Sequence, residues 1–460
     1  MRGLKQAITS DSRQKPEVRG LAAEILTKVD TRRAYADILL DHSLKAAGGS
    51  PRDRALLTEL TYGTLRWRGR IDGYLIRQLH RPLSQTDPFI RNLLRVTFYQ
   101  LIFLNRIPEY AAVNEAVGLA KTRGGQKAAD FVNGVLRNFL REKIRPPEPS
   151  NALTSALAEY WSHPEWLVKK WFEYLGTEET KPLLKTMNQA APLVLRANVL
   201  EGSRDALLKL LQRNGIRASP TQWSPQGITI APASAISRLP GFEEGLFQVQ
   251  GEAAQLVSYL LSPEPGERIL DACAAPGGKA THLAELIADD GNIVALDISA
   301  RGLKRIKENV TRLGLKSIRT FRADASQQLP RSLSLSYDRV LVDAPCSGFG
   351  TLRSHPEIKW HRTEEDIERL GGLQRKIIER VSAYLKPAGI LVYSTCTLTR
   401  EENEKVIEEF LVRHGEFVLE DAARSLPDEA RHLVKGKYFW TLPHRYNTDG
   451  FFAARLRKAA

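Results

Sequence analysis

Apolar residues in the first third of the chain recur at helical spacing. Over residues 17–30, Val18, Leu21, Ala22, Ile25, Leu26 and Val29 fall three and four positions apart and form one stripe. The same period returns over 53–66, 71–80, 89–104, 111–122 and 128–142, with Gly, Pro or Asp between the segments. An all-helical N-terminal domain is expected over residues 1–145. Residues 146–150, Pro-Pro-Glu-Pro-Ser, cannot continue a helix and read as a linker. A helical stretch with Trp161, Trp166 and Trp171 follows, then a strand at 193–198, a helix at 203–213 and strand-like pieces at 228–231 and 246–249. Residues 146–250 therefore read as linker plus a small α+β region, which carries no chemical motif and is expected to position a substrate or to serve structure alone. From about residue 255 the period itself alternates. Strands are predicted at 268–272, 293–297, 318–322, 338–343 and 390–394, and helices at 279–288, 300–313, 364–386 and 402–413. Such alternation predicts parallel strands with right-handed crossovers in a doubly wound, Rossmann-like domain over 251–460. Ligands then bind beyond the C-terminal ends of the strands.

Charge changes this picture more than overall composition does. A chain of 460 residues with 42% hydrophobic and 26% charged residues is an ordinary globular composition of two or three domains. The net charge of +14 is uneven: residues 1–145 hold 26 Lys and Arg against 14 Asp and Glu, leaving only +2 on the remainder. A basic part beside a nearly neutral part suggests that one holds a polyanion while the other does chemistry. Arg66, Arg68 and Arg70 bracket Trp67 near a predicted helix end, an interleaving suited to RNA as well as to a plain solvated surface. No run approaches eighteen apolar residues, and Met1-Arg2-Gly3-Leu4-Lys5 opens no signal-like segment, so no membrane partner and a cytoplasmic location are expected. Three cysteines exclude a disulfide framework, and no His/Cys spacing suits zinc, so no metal is expected.

Three loops carry the candidate chemistry. Asp271-Ala272-Cys273-Ala274-Ala275-Pro276-Gly277-Gly278-Lys279 joins a strand to a helix, where small residues let a ligand approach the backbone and free N–H groups. A Walker loop would need Gly and Ser/Thr where Cys273 and Ala280 stand, and the dinucleotide fingerprint lacks its first two glycines. Asp297, Asp324 and Asp343 close later strands, and Asp297 stands near the spacing of a ribose-binding acid. Asp343-Ala344-Pro345-Cys346-Ser347-Gly348 and Tyr393-Ser394-Thr395-Cys396-Thr397 place two thiols at the same strand ends. Carbon-5 of cytosine is too weak a nucleophile to take a methyl group directly. Addition of a thiolate at carbon-6 makes carbon-5 enamine-like, and a second group must then help remove the carbon-5 proton or expel the thiol. Asp343 is placed to hydrogen bond the pyrimidine edge.

These three motifs, in this order, resemble the RNA cytosine-C5 methyltransferases, as does Asp449-Gly450-Phe451-Phe452-Ala453. Residues 16–145, with 105–117 and 131–137 most telling, resemble the NusB-like RNA-binding domain. Together they resemble the Fmu/Sun class, which modifies a cytidine of small-subunit (16S) ribosomal RNA. The resemblance implies S-adenosyl-L-methionine as cofactor, held by Ala272, Cys273, Ala274, Ala275, Pro276, Gly277, Gly278 and Lys279. It implies Asp297 on the ribose, Asp324 on the adenine amine, and Asp343 touching both cofactor and base. Cys396 would be the nucleophile and Cys346 the aid to proton removal and release; spacing alone does not choose between the thiols. Cys273 reads as space-filling, Lys279 as a contact to a cofactor carboxylate, His355 as ordering a substrate loop, and His282 as structural. Gly251-Glu252 after Gln250 departs from the family's usual Gln-Asp and puts a minor contact in doubt. A monomer acting on a structured RNA loop is favoured. The alternatives are the same chemistry on transfer RNA, or a regulatory RNA-binding protein with a non-catalytic methyltransferase domain.

Overall fold

The computed structural model describes residues 18–47, 50–142, 149, 153–231, 236–333 and 336–460. The segment Met1–Lys5 and, apart from Pro149, the proline-rich linker lie outside the described residues. The chain divides into two compact units, residues 1–150 and 151–460.

The first unit is built of five helices: α1 (Val18–Arg32), α2 (Ala36–Ala47), α3 (Pro51–Arg77), α4 (Pro88–Phe103) and α5 (Glu109–Glu142). Ser50 and Asp53 form a reciprocal capping box at the start of α3, and the Asp87 carboxylate caps α4 through the N–H groups of Phe89 and Ile90. The two helices predicted over 53–66 and 71–80 are one. Gly69 does not break α3, because a lone helical glycine costs only about 1 kcal/mol, and Leu57, Leu60, Leu65, Ile71 and Leu75 stay buried along one stripe. The pair predicted over 111–122 and 128–142 is separated within α5 at Gly125, where φ is +72°. Helix α2 has no counterpart in the periodicity. Trp67 lies inside α3 rather than at its end and stacks on Phe103 at 4.7 Å. Arg68 pairs with Asp30 at 2.8 Å, and buried Arg95 reaches Asp30 and Asp72 at 2.7 Å each. Trp67 and Arg68 thus serve the helical core.

The second unit opens with three helices, α6 (Thr154–Tyr160), α7 (Glu165–Leu175) and α8 (Thr177–Thr186). Next comes a small antiparallel sheet of β1 (Leu193–Ala197), β2 (Ala218–Pro220), β3 (Gly227–Ile230) and β4 (Phe247–Val249), in the order β2-β3-β1-β4, with helix α9 (Arg204–Arg213). Strand alternation gives this sheet two faces: Leu195 and Ala197 meet Leu207 and Leu211 of α9, while Arg196 lies on the opposite face.

Helix α10 (Glu252–Leu261) leads into the alternating domain: β5 (Arg268–Asp271), α11 (Gly278–Leu286), β6 (Asn292–Asp297), α12 (Ala300–Arg312), β7 (Ile318–Arg322), β8 (Tyr337–Asp343), α13 (Ile358–His361), α14 (Glu364–Ser382), β9 (Leu385–Thr395) and α15 (Glu404–Arg413). It ends with β10 (Phe417–Glu420), β11 (Val434–Lys435), β12 (Tyr438–Thr441), α16 (Pro443–Tyr446) and β13 (Phe451–Lys458). The parallel strands run β7-β6-β5-β8-β9, as the alternation predicts. The sheet is nevertheless mixed, because β13 lies antiparallel beside β9 and carries β10 and β12. Phe451 to Leu456 are all buried, so β13 lacks the apolar–polar alternation that would announce a strand. Two apolar layers cover the sheet, one formed by α10, α11 and α12, the other by α14 and α15. Strand order reverses between β5 and β8, which puts the crevice between their C-terminal loops. No helix among the described residues is long and apolar enough to cross a membrane.

Candidate active site

The loop from Ala272 to Gly277 is sewn to both neighbours of β5. The N–H of Ala272 donates to Leu341 O (2.9 Å), and that of Ala274 donates to Leu296 O (2.8 Å). Gly277 has φ +103°, and a Cβ there would stand 3.2 Å from Ile306 Cα, so both conformation and space demand glycine. Asp297 is already engaged, accepting from the N–H groups of Ala275 (3.1 Å) and Ser299 (2.7 Å). Asp324 accepts from the N–H (2.9 Å) and Oγ (2.7 Å) of Ser326. The acids converge on one place: besides burial, the charges of Asp271, Asp343, Asp297 and Asp324 all push the half-buried Cys273 thiol up.

Asp271 itself is absent from the set expected from the motif, yet it is fully buried and neither carboxyl oxygen has a well-formed hydrogen bond among the described residues. Burial first, then the Asp343 charge, pushes its pKa up to about 7 against the pull of Lys279 and the Cys273 N–H. An acidic crevice with an unsatisfied carboxyl fits a ligand that carries ammonium and sulfonium charges, such as S-adenosylmethionine. Asp271 could have been singled out as the last residue of its strand, where a side chain meets the loop. Lys279 turns elsewhere than expected: its Nζ donates to Asp343 Oδ2 at 2.6 Å and sits over the Phe451 ring. Ser394 Oγ donates to the other oxygen of Asp343 at 2.8 Å.

Cys346 and Cys396 come side by side. Their sulfurs are 3.3 Å apart and both thiols are half-buried. The neighbouring Cys396 thiol and then burial push the Cys346 thiol well up, with the Glu402 charge adding to the shift. The two loops are fastened by a carboxylate outside the predicted set. Glu402, wholly buried, accepts from Ser347 N (2.8 Å), Ser347 Oγ, Thr399 Oγ1 (2.8 Å) and Gln374 Nε2 (3.0 Å). Asn403 donates to Thr397 O (3.1 Å) and accepts from Thr395 Oγ1 (2.5 Å). Ser347 and Thr397, the residues after the two cysteines, share a hydroxyl contact of 2.6 Å. A third segment closes against them. The Gly350 N–H donates to Cys396 O and that of Gly450 to Gly350 O, both at 2.9 Å, and a Cβ on Gly350 would fall 1.9 Å from Gly450 O. The tryptophans of α6–α8 stand behind this cluster: Trp171 Nε1 donates to Leu398 O at 3.1 Å, and Trp166 packs edge-on to Phe349.

The remaining candidates lie further out. His282 is buried edge-on to Tyr259, and burial holds it neutral. His355 Nδ1 stands 3.9 Å from the buried Glu357 carboxylate. At the Gly251-Glu252 departure, a Cβ on Gly251 would stand 3.0 Å from Asp449 Oδ2, and Glu252 accepts from Trp223 N (2.5 Å) and Ser224 N (2.9 Å).

Comparison with known proteins matches residues 258–457 to the family described as 16S rRNA methyltransferase RsmB/F, residues 16–141 to the NusB family, and residues 163–237 to the ferredoxin-like domain of RsmF/B-like methyltransferases. A probable ribosomal RNA small subunit methyltransferase B of Bacillus subtilis is 36% identical over 446 residues, which are 97% of this chain and 99% of the relative. The ribosomal RNA small subunit methyltransferase B of Photorhabdus laumondii is 38% identical over 408 residues, 88% of this chain and 91% of its own. Among solved structures, PH0851 superposes with a TM-score of 0.83 at 27% identity, covering 96% of this chain and 99% of that one. NSun6 from Pyrococcus horikoshii with SFG gives a TM-score of 0.57 at 25% identity, over 65% of this chain and 98% of its own. The chain belongs to the RsmB/F family of 16S rRNA methyltransferases, and it is an S-adenosylmethionine-dependent methyltransferase with a NusB-like domain and a ferredoxin-like region ahead of its catalytic domain.

Proposed function

We propose that the protein methylates carbon-5 of a cytidine in small-subunit (16S) ribosomal RNA through a transient bond between Cys396 and carbon-6. The observation that carries this reading is the separation of 3.3 Å between the two sulfurs at the ends of β8 and β9, of which β8 also ends in Asp343. Adjacent ring atoms, carbon-5 and carbon-6, can then be met by two thiols at once. Cys396 Sγ, as thiolate, adds to carbon-6 and shifts the electron pair to carbon-5. S-adenosylmethionine, which the loop from Ala272 to Gly278 would hold with Asp297 at the ribose and Asp324 at the adenine amine, would supply the methyl group. Exposed Ile298, 63% accessible and next to Asp297, offers an apolar surface to the adenine face. The carbon-5 proton then leaves towards Cys346, which assists as base, and the carbon-6–sulfur bond breaks as the ring regains its double bond. Asp343, steadied by Lys279 and Ser394, hydrogen bonds the pyrimidine edge and favours the adduct. The basic NusB-like domain holds backbone phosphates, so RNA affinity falls with salt. The target base is unstacked or already in a loop, at a cost of a few kcal/mol.

The test is to incubate the full chain with S-adenosylmethionine and 16S RNA, free or in an early particle, and to digest the RNA to nucleosides. 5-Methylcytidine is expected; a methyl group on another atom or base, or none, overturns the reading.

A further inference from the structure

The ferredoxin-like region holds one arginine that does something other than dock that region. Arg196, on the face of β1 away from its own core, is completely buried, and so is Glu285 on α11. All five of its N–H donors face partners. Nε and Nη2 take the two oxygens of Glu285 at 3.0 and 2.6 Å, and Nη2 also reaches Thr281 Oγ1 at 3.1 Å. Nη1 donates to Gly278 O at 2.7 Å and to Gln250 Oε1. Gly278 is the first residue of α11 and belongs to the cofactor loop; Gln250 lies across from it, with its side-chain carbons and nitrogen 3.7–3.8 Å from the place a Gly278 Cβ would take.

Such a planar fork fixes orientation as well as position, which an ammonium could not do. A buried ion pair is also a poor way to gain stability alone, since desolvation offsets most of the attraction. Docking has other fastenings: Arg312 of α12 donates to Phe242 O and Phe247 O at 2.9 Å each, and Asn198 donates to Leu313 O at 3.4 Å. What Arg196 adds is a hold on the carbonyl at the mouth of the cofactor loop.

We propose that Arg196 is a positioning residue for S-adenosylmethionine binding: the ferredoxin-like region, through this side chain, sets the geometry of the first turn of α11. The cofactor site therefore extends beyond the methyltransferase fold into the region ahead of it. This inference rests on the cofactor's identity and not on the carbon-5 chemistry.

The test measures S-adenosylmethionine binding by calorimetry, with thermal unfolding alongside, on the full chain. Arg196→Lys keeps the charge and loses the fork; the dissociation constant should rise about tenfold or more. At saturating cofactor its kcat should stay near the parent's, so the effect falls on the cofactor KM. The double variant Arg196→Met with Glu285→Leu removes both buried charges and should regain thermal stability while cofactor binding stays weak. The proposal is overturned if Arg196→Lys binds cofactor as tightly as the parent, or if the double variant recovers affinity together with stability. A parent protein that does not bind S-adenosylmethionine at all would instead strike at the cofactor assignment.

Discussion

Two carboxyl groups, both wholly buried at the C-terminal edge of the same sheet, are treated in opposite ways. Glu402 receives four hydrogen bonds from three residues: the N–H and hydroxyl of Ser347, the hydroxyl of Thr399 and the side-chain amide of Gln374. Among the described residues Asp271 receives no well-formed bond, and its pKa rises to about 7. The first is a fastening, complete as it stands. The second is a polar group left for something else to satisfy, as expected where a cationic ligand is to bind. The same contrast separates the two halves of the crevice. Around β8 and β9 the protein ties the thiol loops through Glu402 and Asn403, which suits groups that must keep a fixed separation. Around β5 it leaves the Asp271 carboxyl without a well-formed bond among the described residues, which suits a ligand that comes and goes.

If the halves are this distinct, substitutions on the thiol side should spare cofactor binding. The largest effect is expected for Cys396→Ala: methyl transfer is abolished and no adduct forms with 5-fluorocytidine RNA, while S-adenosylmethionine titrates as in the parent. A variant that still captures that RNA would reverse the assignment of the two thiols. Cys346→Ala should stop at about one turnover, leaving a protein–RNA adduct visible on denaturing electrophoresis; clean turnover would remove its release role. Glu402→Ala leaves Ser347, Thr399 and Gln374 donors buried without their acceptor. It should cost about 3 kcal/mol in denaturant unfolding and slow adduct formation, with cofactor affinity unchanged. Equal loss of cofactor binding would show that the halves are mechanically one.

The smallest effect is a pH slope on the cofactor side. Asp271 has its native pKa raised to about 7 from the ordinary 3.8, so between those values the folded chain keeps a proton that the unfolded chain has lost. Its contribution to stability is therefore fully present below about pH 4 and is lost as pH rises through 7. Asp271→Asn should flatten this part of the stability–pH curve of the cofactor-free protein. An unchanged curve would mean that Asp271 is satisfied in solution and that the contrast with Glu402 is false.

Much of the molecule was legible without coordinates, because its signals are local. Periods of three to four residues gave the helical unit, and their alternation with short apolar runs gave the five parallel strands. Glycine and proline between them placed Asp297, Asp324, Asp343 and both thiols at strand ends. Local pattern failed where burial is two-sided or pairing is distant. Strand β13 shows no alternation because both its faces are covered, and the break expected inside α3 vanished because packing outweighs one glycine. Glu402, in an ordinary-looking Arg-Glu-Glu-Asn-Glu run, gave no sign of reaching a loop 55 residues away.

The sequence by itself determined which groups stand at the ends of which strands, since strand, loop and helix are written in neighbouring residues. Only the tertiary structure decided which groups meet. Cys346 and Cys396 come side by side, Lys279 turns to Asp343, and Arg196 crosses from another sheet to the mouth of the cofactor loop. Those meetings depend on strand order and on the packing of one layer against the next, and spacing along a chain does not encode distances between elements that pair across it.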